Sequence, residues 1–396
     1  MFLPLVQRRN PDLIDCAIDL HRTGQIPPDT YVIDLDTVTA NASAIASAAR
    51  KAGLTPWFVV KQIGRNPVVA KAIAGHIPSA AAIDVREAVG LVRAGVALGN
   101  VGHLVQIPTR DLGRVLEHRP EFVTVYDIEN LDAVAHAARD AGIIQRILLR
   151  IAGEPDEVYP GQEGGFEPDD VLAAVETAAH LESVQIAGVT GFPTVLHVPG
   201  TGPNVTRTGY RVVSAGETLR HVGIDPIVDM PSHSCITIMD QLAGLGATHI
   251  EPGHALVGTV PLAVEADLVE RPAYVYISEI AQNSPRRTAI FGGGFYSRGH
   301  ALNALIDVGC DDGRRCTVPA TIEPLPSENI DYYRTLHLAA DASCRVGDTV
   351  VMAFRTQIFV TRSLVAVVQG LASHSPVLVG LWDSQGHQVD DHGGTL

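Results

Sequence analysis

Lys61 closes the run WFVVK, where four apolar residues precede a lysine. Burial disfavours an ammonium ion, and a neutral amine is a nucleophile able to attack an aldehyde. A lysine that merely emerges at the top of a strand is the alternative at this single position. Arg150 lies at the end of RILLRI, where a cation could meet a phenolate or a carboxylate, or take part in a structural ion pair. Phe192 ends IAGVTGF and could stack on a flat ring or pack in the core. Ser232 and Ser234 belong to PSHS, just before the helical stretch CITIMDQLAGL. A helix N-terminus offers free N–H groups to a phosphate, although a serine there can simply cap the helix. Glu251 opens Glu251-Pro252-Gly253-His254 after an apolar run, and a buried carboxylate needs a partner such as a protonated ring nitrogen.

These residues share a position: each ends an apolar run. From about residue 55 to 262 short Val- and Ile-rich runs alternate with helical stretches such as REAVGLVRAG and ENLDAVAHAARDAG. The runs are WFVVK, AAAIDV, GHLVQI, FVTVYDI, RILLRIA, IAGVTGF, PIVDMPS and ATHIEPG. Strands alternating with helices give a parallel sheet, and eight such units fit a closed (β/α)8 TIM-type barrel. No GxGxxG follows the first strand, which disfavours an open doubly wound sheet. In such a barrel the C-terminal strand ends carry the active site, and the loops after strands seven and eight hold phosphate. After residue 265 the texture changes to strands with Gly, Pro and Asp turns, among them AYVYISEIA, RTAIFGGGF, GDTVVMAF and TQIFVTRSLVAVV. The expected organisation is a barrel over 40–262 and a β-rich second domain from 1–39 with 263–396, where TYVIDLDTV supplies a strand to the second domain. The tail SQGHQVDDHGGTL reads as frayed.

The ordered set of VVK, LLRI, the serine-rich loop and EPGHALVG resembles the fold-type III pyridoxal-phosphate enzymes, the alanine racemase-like family. These pair a barrel with a C-terminal β-domain. VVKQIGRNP, GFP, EPGHALVGT, GGGFYSRGH and RTQIFVTR resemble in particular the YhfX-type group of proposed amino-acid racemases. The resemblance implies pyridoxal 5'-phosphate as cofactor and an amino acid as substrate. It implies Lys61 as the Schiff-base lysine and one acid/base, and Arg150 near the phenolic oxygen. Phe192 would lie against the ring, where relatives often place His. Ser234, Ser232 and the backbone of Gly253 and His254 would hold the phosphate. A homodimer is implied by the resemblance alone.

Two departures bear on the reaction. Alanine racemase has Arg at the Glu251 position, and an arginine that keeps its proton leaves the ring nitrogen unprotonated. Glu251 would protonate it and strengthen the electron sink, as in the decarboxylases of the family. Those carry a Gly-rich phosphate loop before EPG, whereas Gly292-Gly293-Gly294 here comes later and reads as a turn. Racemisation also needs a second acid/base. Alignment puts Phe291 near the position of the tyrosine that alanine racemase uses, so Tyr296 is taken as the candidate, with His300, Cys344, Tyr332 and Tyr333 behind it.

An amino-acid racemase is the leading reading. A lyase or decarboxylase on the same cofactor, and a non-catalytic protein that stores pyridoxal phosphate, are the rivals. A metal hydrolase would need clustered ligands; His103, Asp127 and His249 look scattered, and a strand His more often sits in a core, so no metal is expected. The formal net charge of -15 argues against nucleic acid. No run approaches membrane-spanning length. Five scattered cysteines do not form a disulfide framework, with Cys310 and Cys316 read as loop thiols, and the expected compartment is the cytoplasm.

Overall fold

The computed structural model of the chain describes all residues except 297, 310–314, 391–393 and 395–396. Cys310 and part of the polar tail lie outside the described residues. Cys316 is disulfide-bonded, while Cys16, Cys235 and Cys344 are free. The chain divides into two compact units, 42–60 with 70–255, and 1–41 with 61–69 and 256–396.

The first of these units is the barrel. Its strands are Thr55–Pro56, Ser79–Ala82, Ala97–Val101, Phe122–Val125, Gln145–Arg150, Val184–Thr190, Ile227–Asp229 and His249–Ile250. They form one eight-stranded sheet in which the eighth strand lies beside the first. A parallel bridge from Phe58 to Ala80 closes the ring. Strands covered on both faces must be apolar throughout, which is why these runs read as continuous Val, Ile and Leu. Trp57, Val59, Ala81, Phe122, Leu148 and Ala187 meet as a buried cluster. They come from five of the runs, Trp57 and Val59 from the same one, and fill the barrel as a layer of side chains. Gly99 makes room for the layer: a Cβ there would lie 2.4 Å from the Trp57 ring. Burying such a ring contributes on the order of 3 kcal/mol.

Helices return the chain between strands. Asp84 caps Val85–Arg93 by accepting from the Glu87 N–H at 2.8 Å. Asp127 caps Ile128–Asp140 through the Asn130 N–H at 2.7 Å, so this carboxylate is a helix start. The third strand differs from expectation. It is Ala97–Val101, and GHLVQI forms the loop that follows. The alternation was hidden because ALGNV carries small and polar residues, while the loop carries the apolar ones.

The other unit is antiparallel. Tyr274–Ser284 pairs with both Arg287–Phe291 and Thr349–Met352. Tyr333–Leu338, Thr317–Ile322 and Asn303–Asp307 complete a six-stranded ring. Thr30–Asp34 lies antiparallel to Tyr274–Ser284 and parallel to Leu364–Gln369, bringing the early strand into this sheet. Two helices that the sequence reading did not anticipate, Leu3–Arg9 and Pro11–Arg22, precede it. The Gly292-Gly293-Gly294 run is a turn held by Asp331, whose carboxylate accepts from the Gly293 N–H at 2.8 Å. No helix of the described residues is long and apolar enough to cross a membrane.

Candidate active site

The barrel gathers its polar groups where the strands end. Arg150 is the last residue of the fifth strand and is fully buried. Its guanidinium donates to backbone carbonyls: Nε to Gly164 and Nη2 to Gln162, both at 2.8 Å, and Nη1 to His103 at 3.4 Å. It also lies 5.0 Å from the centre of the Tyr126 ring. Burial lowers the Arg150 pKa and raises that of the Tyr126 phenol to about 12, each opposed by the attraction between them. The cation is therefore fixed by dipoles.

Phe192 stands just beyond the sixth strand. Its ring meets His103 edge-on at 5.7 Å and Tyr159 at the same distance. Glu251 follows the eighth strand directly. Its Oε2 is 2.8 Å from His103 Nε2, with side-chain exposures of 1% and 3%. Asp229, the last residue of the seventh strand, is fully buried, and its carboxyl lies close to that of Glu251. Thr190 Oγ1 donates to Asp229 Oδ2 at 2.8 Å. Atoms of His103, Asp229 and Glu251 all lie within 4.8 Å of one another.

Two carboxylates at that spacing, both ionised, would repel by roughly 3 to 4 kcal/mol at an effective dielectric of 20. Burial is the larger force that pushes the Asp229 pKa well above the ordinary range, and Glu251 adds to it. Burial and the neighbouring carboxylate both favour the protonated form of Asp229. The sequence reading took Glu251 alone. His103 was weighed as a core residue among scattered metal candidates, yet it belongs to a set of one imidazole and two carboxylates. Asp229 was missed, although an acid inside the apolar run PIVDMPS is the signal that picked out Glu251.

The serine loop also differs from expectation. The residue preceding the single 3-10 turn Ile236–Ile238 is Cys235, with no side-chain cap, and Met239–Gly244 is the helix that follows. Ser232 and His233 adopt φ of +83° and +45°. The Ser232 hydroxyl donates to the Val195 carbonyl at 2.7 Å and accepts from its N–H at 2.9 Å. Ser234 Oγ accepts from the Glu251 N–H at 3.2 Å and reaches the Ser232 carbonyl only at 3.4 Å. Of the two, Ser234 has the hydroxyl proton less committed to the fold. Gly253 and His254 follow Glu251, and His254 opens the short turn His254–Val257.

Lys61 is the residue after Val60 along the chain and begins the turn Lys61–Ile63. Val59 in the same run donates to the Pro252 carbonyl at 3.0 Å. In the antiparallel unit, the Tyr296 phenol accepts from Arg355 Nη1 at 3.4 Å. His300, Tyr332 and Tyr333 are exposed there, and Cys344 is buried.

Residues 33–261 match the alanine racemase N-terminal domain. The chain belongs to this family. Residues 275–378 match the YhfX-like C-terminal domain. The uncharacterized protein YhfX of Escherichia coli (strain K12) is 36% identical over 392 residues, covering 98% of this chain and all of that one. Alanine racemase of Clostridium difficile 630 shares the fold at 16% identity, TM-score 0.62, over 89% of this chain and 98% of its own. D-threonine aldolase from Filomicrobium marinum does so at 17% identity, TM-score 0.67, over 91% and 96%. Diaminopimelate decarboxylase from Helicobacter pylori does so at 14% identity, TM-score 0.61, over 88% and 92%.

The alanine racemase-like family depends on pyridoxal 5'-phosphate. The polar and aromatic groups of the barrel unit are of the kind that group needs: a buried cation at the end of the fifth strand, an aromatic beyond the sixth and a buried acid after the eighth. A hydroxyl with a proton to give stands in the loop after the seventh.

Proposed function

We propose that the protein is a pyridoxal-phosphate-dependent amino-acid racemase. The observation that carries the reading is Lys61, which closes the run leading on from the first strand of a domain that matches the alanine racemase N-terminal domain. Pyridoxal phosphate, when bound, supplies an electron sink for negative charge at the α-carbon of an amino acid. Lys61 would hold the cofactor through its amine and, once released, carry the α-proton as acid/base. Arg150 would meet the phenolic oxygen as a fixed cation. Phe192 would cover the ring, and Glu251 would meet its nitrogen. Ser234, with Ser232 and the backbone of Gly253 and His254, would hold the phosphate. Tyr296, polarised by Arg355, is put forward as the second proton carrier. Cytoplasmic location and a homodimer complete the reading.

Glu251 favours a second reading, a lyase or decarboxylase on the same cofactor. A carboxylate at the ring nitrogen keeps it protonated, and a stronger sink suits bond cleavage at the α-carbon.

The test is absorbance of the purified protein with added pyridoxal phosphate, for the wild type and Lys61→Ala, then amino acids in deuterated water. A long-wavelength band lost in Lys61→Ala is the expected result. Deuterium at Cα with loss of optical activity supports the racemase, and Tyr296→Phe should then slow exchange on one face only. Release of carbon dioxide or an aldehyde from one enantiomer supports the lyase. No band in the wild type would sink the cofactor assignment.

A further inference from the structure

The cofactor reading gives Glu251 a role but does not explain why a carboxylate in the barrel interior should remain ionised. Burial alone drives a carboxyl group towards its neutral form. A carboxylate stays charged in such a place when hydrogen-bond donors point at it. Glu251 has two neighbours that can donate. His103 Nε2 lies 2.8 Å from its Oε2, and a carboxyl oxygen of Asp229 lies within 4.8 Å of it. His103 and Asp229 come from different parts of the barrel, the loop after the third strand and the end of the seventh. Asp229 can donate only as the neutral acid, because an ionised carboxylate has no proton to give. Thr190 closes the network by donating to Asp229 Oδ2. Arg150 and Tyr126 are the other titratable groups close by: Arg150 donates to the His103 carbonyl, and Tyr126 lies within electrostatic reach of Glu251.

We infer that His103 and Asp229 are positioning residues for Glu251: a protonated Asp229 and the His103 Nε2–H both donate to its carboxylate, and so hold ionised the group that faces the ring nitrogen of bound pyridoxal phosphate. The inference rests on the cofactor reading above. It separates the two neighbours of Glu251 from ordinary core packing, because only donation matters. An amide in place of either residue keeps a donor, whereas an apolar side chain removes it.

The experiment loads the full-length protein with pyridoxal phosphate carrying 15N in the ring and reads the nitrogen shift by NMR. The wild type should show a protonated ring nitrogen at neutral pH. Asp229→Asn and His103→Gln should keep that signal, while Asp229→Leu and His103→Phe should move it towards the unprotonated position. A merely structural role would not separate the amide variants from the apolar ones. If Asp229→Asn moves the signal as far as Asp229→Leu, Asp229 acts as an anion and the inference falls. It also falls if the apolar variants load cofactor and keep the wild-type shift. Should the apolar variants fail to fold, Asp229→Asn still decides.

A second measurement needs no cofactor. Infrared difference spectra of the cofactor-free wild type and Asp229→Asn should show a protonated-carboxyl band at neutral pH that belongs to Asp229. Its absence overturns the inference. If the band is present but the protein forms no lysine-dependent absorbance with pyridoxal phosphate, Asp229 is a neutral acid as argued. The role towards a ring nitrogen then falls together with the cofactor reading.

Discussion

Two aspartates end strands in the two units, and both are buried. Asp34 is 2% exposed and Asp229 is 0% exposed, yet their surroundings differ in kind. Asp34 receives four donors. Its Oδ1 accepts from the Asp36 and Thr37 N–H groups at 3.1 and 3.2 Å, and its Oδ2 from Asn10 Nδ2 at 3.0 Å and from the Thr37 hydroxyl. It thereby caps the helix Leu35–Ala52 and ties Asn10 to the strand end. Asp229 receives Thr190 and faces a second carboxylate. A buried acid surrounded by donors builds structure. One short of donors and set against another acid is driven towards its protonated form.

The same substitution at both sites breaks or upholds this contrast, with its largest effect at Asp34. Asp34→Asn removes the charge and turns an amide N–H towards groups that themselves donate. Charge-assisted hydrogen bonds contribute about 1.5–3 kcal/mol each, and an orphaned buried donor costs about 1–3 kcal/mol. The expected loss is about 4 kcal/mol, read from the urea midpoint at constant m-value. A loss below about 1 kcal/mol would remove the structural role assigned to the four donors.

Acid titration sharpens the comparison at a smaller scale, because each unit contains a buried group pushed the other way. In the antiparallel unit Asp29 accepts from the Tyr276 phenol at 2.8 Å and from the Ser363 hydroxyl. Burial nevertheless outweighs them and raises its pKa from 3.8 to about 6. The folded state then binds the extra proton, so this contribution is full below pH 3.8 and is lost as pH rises through about 6. In the barrel His249 packs on Trp57, with ring centres 4.3 Å apart, and burial lowers its pKa from 6.5 to about 4. Here the unfolded state binds the extra proton. The contribution is full above pH 6.5 and is lost as pH falls towards about 4. Each is worth up to roughly 3 kcal/mol, less whatever solvent screening removes. The slopes oppose each other between those limits, while the raised pKa of Asp229 adds a slope of the same sign as that of Asp29. Asp29→Asn should make the change of stability with pH more positive than in the wild type, and His249→Asn should make it more negative. Equal slopes in both variants, read by urea unfolding across that range, would contradict the assignment.

The sequence was most legible where one physical signal acted alone. Parallel strands buried on both faces must be apolar, so seven runs were found; ALGNV failed because its small residues let the Trp57 ring in, as Gly99 does. Lys61, Arg150, Phe192 and Glu251 could be singled out because reactive or aromatic residues at the ends of apolar runs stand out. His103 could not, since its importance lies in a partner far along the chain. The bonds of the Ser232 hydroxyl to Val195 were likewise not legible in the sequence. Such pairings arise from closing the barrel, and no local pattern announces them.

The smallest expected effect is the most discriminating. Asp229→Asn replaces a neutral acid by an isosteric amide, which can still accept from Thr190 and donate to Glu251. In acid, where the unfolded carboxyl is also protonated, stability should change by less than about 1 kcal/mol, because no charge is lost and no buried partner is orphaned. Towards neutral pH the variant should gain, since the wild type must take up a proton at Asp229 on folding and the amide need not. An ionised Asp229 would behave otherwise. Removing a like charge beside Glu251 would still stabilise the barrel, by an amount approaching the repulsion of roughly 3 kcal/mol, but with no proton taken up the gain would stay level around neutral pH. A gain in the urea midpoint that does not change with pH around neutrality would therefore show that both carboxylates carry charge in the native protein. A gain that climbs with pH, beside a costly substitution at Asp34, would leave donor count as the property that separates the two aspartates.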